Sequence, residues 1–312
     1  MTQATSAASG IRVAVLAVAF TLMQWHAGAA AQASAPNAAP DGFKEIKRSD
    51  GVCRRDADGA GNAVELPEGP PLPEPDLSCA VSPADAQAWA DAANTVFVDT
   101  RLPVEFGQFG IRGAVNLGLS DLQTKPYLMS KRLVLLGSGK AEQALYQACA
   151  VLKRQGFAQV RVVRGGMASW HASQLALIGR PPSAAALSRI DPAELWRESK
   201  FDDNVVMVAA SQAALQANLS FSVVLPQVSA YAIKAILDRR RKELKGAPVA
   251  AVVLAAGPEL SDQQLLQIQQ ALKPVPVLLY ADTADALARQ VARQTATWTA
   301  QARGPKRPGC GL

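Results

Sequence analysis

"VDTRLPVEFGQFGIRGAVNL", residues 98–117, decides how this chain is read. A β-rich run, "TVFVDTR", leads into it from Thr95, so the spacing predicts a strand that ends at Asp99 to Arg101. Residues two apart on a strand point to the same side, so Asp99 and Arg101 face one way. Arg101 can then pair with Asp99 or, across the turn, with Glu105. Gly113 permits the backbone angles that a sharp turn needs before "GAVNL" runs extended again. Asp99, Arg101, Glu105 and Gly113 therefore read as scaffold, with ion pairing that fixes the loop.

On either side the same alternation continues. "SPADAQAWADAA" carries an N-cap serine, Ser82, with Pro83 at the first helical position, and predicts a helix. Downstream, "LVLLG" is a buried strand, "AEQALYQACAVLKRQG" a helix, "VRVV" a strand and "GMASWHASQLA" a closing helix. Short apolar runs alternating with amphipathic helices predict an α/β fold, a parallel sheet with helices on both faces. The second half lies over the first: "VMVAAS" (206–211) on "VFVDTR", "SVVLP" (222–226) on "GAVNL", "AVVLAAG" (251–257) on "LVLLGSG" and "VPVLL" (275–279) on "VRVV". Four matches in the same order at a nearly constant offset predict a duplication, hence two tandem domains.

The N-terminal segment has a cationic Arg12, an apolar run from Val13 to Met23 and A-x-A spacing at Ala29 to Ala33. That pattern predicts a secretory signal peptide over 1–33, the apolar run being too short to span a bilayer as a helix. A Pro/Gly-rich extension follows at 34–78, then one domain at 79–180, a degenerate copy at 188–300 and a basic tail at 301–312. An exported, periplasmic or extracellular protein without a membrane span after signal cleavage is expected, in a compartment that permits disulfides. The four cysteines, Cys53, Cys79, Cys149 and Cys310, form no C-x-x-C pair, so no metal site is expected. Cys53 and Cys79 bracket the proline-rich "ELPEGPPLPEPDLSC", a loop that a disulfide between them would close. Cys149 sits among Leu145, Ala148 and Leu152 at helical spacing and reads as a core cysteine. The net charge is +6, with local runs such as "RRRK" at 239–242 but no interleaved aromatics to stack bases, so nucleic acid is not an expected partner.

With those residues in place, the first domain resembles the rhodanese-like family of thiosulfate sulfurtransferases. "VDTRLPVEFGQFGIRGAVNL" is similar to the signature in which D-x-R ends a strand and I-x-G-A-x-N follows a glycine turn. "QGFAQVRVVRGGMASW" (155–170) is similar to its second signature, in which G-F, a strand and G-G precede a tryptophan. The resemblance covers residues 82–173 and implies sulfane-sulfur transfer through a cysteine persulfide at the end of the strand "LVLL". Such a thiolate needs the backbone N–H groups of a loop at a helix N-terminus, which lower its pKa and hold an anionic donor.

That cysteine is missing. Counted from the strand its position falls on Gly137; counted back from Gly156 it falls on Gly139, and the second copy offers only Ala255 or Gly257. Ser138 would need His171 as a general base, and His171 belongs to the closing helix. Cys310 lies near cations in the tail. "GSGK" is not a phosphate-binding P-loop, because Val134 and Ala141 stand where that pattern requires glycine and Ser or Thr. Gly137, Ser138, Gly139 and Lys140 still form a permissive loop at a helix start with a cation beside it, a candidate site for thiosulfate or sulfate. The sequence thus predicts a module without a catalytic residue or a cofactor that binds a protein partner in the cell envelope or a small anion. The alternative is a divergent sulfurtransferase that uses a thiol from elsewhere.

Overall fold

A computed structural model describes residues 73–219 and 221–302. In chain order the first half contains β1 (Ala80–Val81), α1 (Pro83–Gln87), β2 (Thr95–Asp99), α2 (Pro103–Gln108), β3 (Phe109–Gly110), β4 (Val115–Asn116), α3 (Leu119–Leu122), β5 (Arg132–Leu136), α4 (Glu142–Arg154), β6 (Gln159–Val163), α5 (Gly166–Ala172) and β7 (Ile178–Gly179). The second half contains α6 (Ala184–Leu187), α7 (Pro192–Glu198), β8 (Val205–Ala209), β9 (Val223–Leu225), α8 (Ala230–Glu243), β10 (Val252–Ala255), α9 (Asp262–Leu272), β11 (Val277–Tyr280) and α10 (Ala284–Ala302). Among the described residues no helix is long and apolar enough to cross a membrane.

Two parallel sheets result. The first runs β1-β6-β5-β2-β4 and the second β11-β10-β8-β9, with β3 and β7 forming a separate antiparallel pair. The buried stretches of the central strands, residues 133–136 in β5 and Val252–Ala255 in β10, are apolar because side chains alternate faces and both faces are covered. In β5, Leu133 and Leu135 pack with Tyr146, Cys149 and Leu152 of α4, while Val134 and Leu136 pack with Met167 and Trp170 of α5. The second sheet does the same: Met207 and Leu254 face Ile233 and Leu265, and Val208 and Val253 face Leu195 and Leu287.

The overlaid segments β8, β9, β10 and β11 hold the same spatial order as β2, β4, β5 and β6. The correspondence extends one step further than the sequence overlay. Arg189 bridges Leu279 in parallel, beside β11, as β1 lies beside β6, and Ile190 N–H donates to the Leu279 carbonyl at 2.9 Å. A proline-initiated helix follows in both places: Ser82 caps α1 ahead of Pro83, and Asp191 caps α7 ahead of Pro192. The helix expected over "SPADAQAWADAA" is shorter than its sequence suggests. Beyond Gln87 the backbone tightens into i→i+3 turns that carry the Trp89 ring to 4.8 Å from the Arg132 guanidinium.

Candidate functional site

The D-x-R residues are buried beneath the loops and bonded to one another. Arg101 Nη2 donates to Asp99 Oδ2 at 2.6 Å and to the Phe109 carbonyl at 2.7 Å, while Nε donates to Asp99 Oδ1 at 3.0 Å. The side chains are only 3% and 1% exposed, so the pair sits away from solvent. Asn116 ties the turn from β4 by donating to the Asp99 and Arg101 carbonyls at 2.9 and 2.8 Å. Of the two partners the sequence left open for Arg101, the structure supplies Asp99. Glu105 instead accepts from Leu102 N–H at 3.1 Å at the start of α2. Gly113 takes φ +78° in the turn before β4.

The loop Gly137–Ala141 leaves β5 and enters α4, as the motif requires. It is stapled to α5: Met167 N–H donates to the Gly137 carbonyl at 2.9 Å and Ala168 N–H to the Ser138 carbonyl at 3.2 Å. Gly139 is closed to a side chain and Gly137 is crowded. Gly139 has φ +102°, and a Cβ there would overlap the Gly165 carbonyl oxygen. A Cβ on Gly137 would meet Leu145 Cδ1 at 3.0 Å, pointing into the core. Ser138 Oγ accepts from Lys140 N–H at 3.3 Å, and among the described residues no hydrogen bond joins it to His171. In the second half, a Cβ on Gly257 would overlap the Glu259 carboxylate.

The position where an anion would sit at the start of α4 is held by the second half of the chain. Glu198, the last residue of α7, accepts from Ala141 N–H at 2.5 Å and from Asn204 Nδ2 at 2.8 Å. Ala141 is in the left-handed region at φ 54°, the conformation in which it caps α4 without a side-chain hydrogen bond of its own. Lys140, the loop's cation, pairs with Glu194 of the same helix at 3.0 Å. Glu194 also accepts from Asp191 N–H at 2.8 Å in the capping box that starts α7. Gly137, Ser138, Gly139 and Lys140 form the turn between β5 and α4, where two carboxylates of α7 engage the Ala141 N–H and the Lys140 ammonium. The D-P-A-E capping box at 191–194 was a legible helix start. Nothing local in the sequence marked Glu194 or Glu198 as partners of the first domain.

A second carboxylate lies close by. Glu142, in the first turn of α4, is 5% exposed, and among the described residues its Oε1 has no hydrogen-bond partner. Burial, reinforced by the neighbouring Glu198 charge and partly offset by Arg164, pushes its pKa up to about 8. Burial likewise raises Glu198, against the lowering effect of the Ala141 and Asn204 hydrogen bonds. A carboxyl whose folded pKa exceeds its unfolded value binds its proton more tightly in the folded state. Its contribution is therefore complete below about pH 4.5 and is lost as pH rises toward about 8. Glu142→Gln is expected to stabilise the protein at pH 7 by on the order of 3 kcal/mol and to flatten this slope, measured by urea unfolding between pH 5 and 8. Equal slopes in the variant and the parent would refute the assignment.

The cysteine pairing expected from sequence is corrected. Cys79 is bonded to Cys149, not to Cys53. The turn Leu77–Cys79 lies against α4, where Lys153 pairs with Asp76 at 2.7 Å and Asp76 N–H donates to the Tyr146 carbonyl at 3.2 Å. These contacts bring two buried cysteines together across the first core. Cys149 does occupy the apolar face, though as half of a disulfide. Cys53 and Cys310 lie outside the described residues, as do the segments read as signal peptide, most of the extension and nearly all of the tail.

Comparison with known proteins places these features. A family model described as a rhodanese-like domain matches residues 82–173. A protein named sulfurtransferase from Allochromatium vinosum is 31% identical over 85 residues, 27% of this chain and 79% of the relative. The thiosulfate sulfurtransferase structure from Pseudomonas aeruginosa is 16% identical, with 65% of this chain and 43% of that one covered at a TM-score of 0.29. A rhodanese-like domain from Anabaena is 22% identical, covering 34% of this chain and 85% of that one at a TM-score of 0.30.

Proposed function

Because the chain belongs to the rhodanese-like superfamily, we propose that it is a catalytically silent member, exported to the cell envelope, where it serves as a partner-binding module. One observation carries this reading: the loop that would hold a persulfide contains no cysteine, and its helix-start N–H is taken by Glu198. A sulfur donor such as thiosulfate would have to displace that carboxylate and break Lys140 from Glu194, and would still meet no thiol. The loop therefore joins the two halves of the molecule instead of receiving a free anion. Export is supported by the pattern of residues 1–33 and by the Cys79–Cys149 disulfide, a bond that persists in oxidising compartments. A fold keeps its scaffold after its chemistry is gone, and the surface then remains for recognition.

The decisive experiment is a thiosulfate:cyanide sulfurtransferase assay on the mature protein, with mass spectrometry of donor-treated material. No turnover above the uncatalysed rate and no 32-Da adduct (approximately one sulfur atom) are expected. The name of the Allochromatium vinosum relative favours a second reading, a sulfurtransferase that draws on a thiol outside the loop. Turnover lost on Cys310→Ser would establish that reading instead. Gly137→Cys is expected to leave activity at background, because its Cβ would press against the buried Leu145 Cδ1. Substantial turnover by Gly137→Cys in the same assay would show that the loop opens to donors.

A further inference from the structure

We propose that the cavity between α5 and the segment leading into β11 binds a compact, neutral, mainly apolar molecule. The cavity has a volume of about 280 Å³. An engineered apolar cavity of about 150 Å³ takes one benzene, so this one accommodates a molecule of roughly ten to fifteen non-hydrogen atoms. Its walls come from both halves of the chain: Ala168, Ala172 and Leu175 on one side, Val275, Pro276 and Leu278 on the other. Concave apolar sites where two sub-structures meet, carrying a few polar groups, are the usual setting for small-molecule binding.

The polar groups in the wall fix the chemistry of the occupant. The Ser188 hydroxyl donates to the Ala184 carbonyl at 3.0 Å and accepts from Gln269 Nε2 at 2.7 Å, so it is already committed. Ser169 and Ser173 also line the cavity, and among the described residues neither hydroxyl makes a side-chain hydrogen bond. They can give and receive one hydrogen bond each from a ligand's single polar end. The one ionisable side chain in the lining, Lys273, is exposed. A charged ligand would surrender its hydration inside without a buried counter-ion, which is why a neutral molecule fits. The cavity touches the candidate loop through Gly139, but its walls include no thiol and neither Glu194 nor Glu198, so binding of a neutral ligand there is read out separately from sulfur transfer.

The test uses 3-phenylpropan-1-ol, titrated into the full chain by calorimetry and followed in parallel by thermal unfolding. Saturable binding with a Kd below about 1 mM is expected, with an upward shift in Tm that grows with ligand concentration. Ala172→Leu and Ser173→Leu each fill the cavity from the end of α5 and are expected to weaken binding at least about tenfold. If one variant fails to fold by circular dichroism, the other decides. Absence of saturable binding to the unsubstituted protein would overturn the proposal, as would unchanged binding in the folded filling variants. So would 3-phenylpropionate or 3-phenylpropylammonium binding as tightly as the alcohol, since either would contradict a neutral ligand.

Discussion

Asp99→Ala is expected to destabilise the protein by about 3–5 kcal/mol, the range for breaking a buried ion pair from one side. The cost arises less from the lost attraction than from what remains. Arg101, 3% exposed at its side chain, would keep its charge among Phe109 and neighbouring core residues, with only the Phe109 carbonyl left among the described residues to accept from its guanidinium. The same substitution releases Arg101 N–H, which now donates to Asp99 Oδ1 at 3.0 Å, and so loosens the turn between β2 and α2. The double variant Asp99→Leu with Arg101→Met removes both charges and is expected to recover much of the loss. Urea unfolding of the singles and the double gives the coupling directly. A loss below about 1 kcal/mol for Asp99→Ala would mean that the pair does not fix the loop.

Loss of the Cys79–Cys149 bond should be of similar size. The cross-link closes a loop of sequence separation 70, and the chain-entropy model assigns such a loop about 4 kcal/mol. Both cysteines are fully buried, so replacement by alanine in the pair keeps the core apolar and isolates the effect of the bond. The double alanine variant, and the parent protein under strong reductant, are expected to unfold at closely similar and much lower urea concentrations than the oxidised parent. Coincident unfolding curves for oxidised and reduced protein would show that packing of the Leu77–Cys79 turn on α4 suffices without the bond. The outcome also bears on location, because a protein that needs this bond is suited to an oxidising compartment.

How far the sequence reached follows from the range of the interactions involved. The strand-by-strand reading of the first domain rested on local signals: the apolar runs at Val96–Val98 and Leu133–Leu136, the Ser82–Pro83 helix start, and the fixed spacing of Asp99, Arg101 and Gly113. Each of these acts within a few residues, so the amino-acid order is enough to reveal it. The overlay of the second half was legible for the same reason, since β8, β9, β10 and β11 carry the same apolar pattern and strand order without the motif residues. The counterpart of β1 in the second half was not, because Arg189 and Ile190 contribute a single bridge, too short to show periodicity.

The sequence by itself determined the α/β class, the repeated strand order and the absence of a thiol at the end of β5, since these are properties of local pattern and residue identity. Only the tertiary structure decided that Cys79 meets Cys149, that Glu198 caps the loop of the other half, and that Glu142 is buried beside it. The physical reason is distance along the chain. Those partners are separated by many residues, their proximity is set by how the turn before β1 and helix α7 pack against α4, and the energies of burial and charge that govern them exist only once that packing is complete.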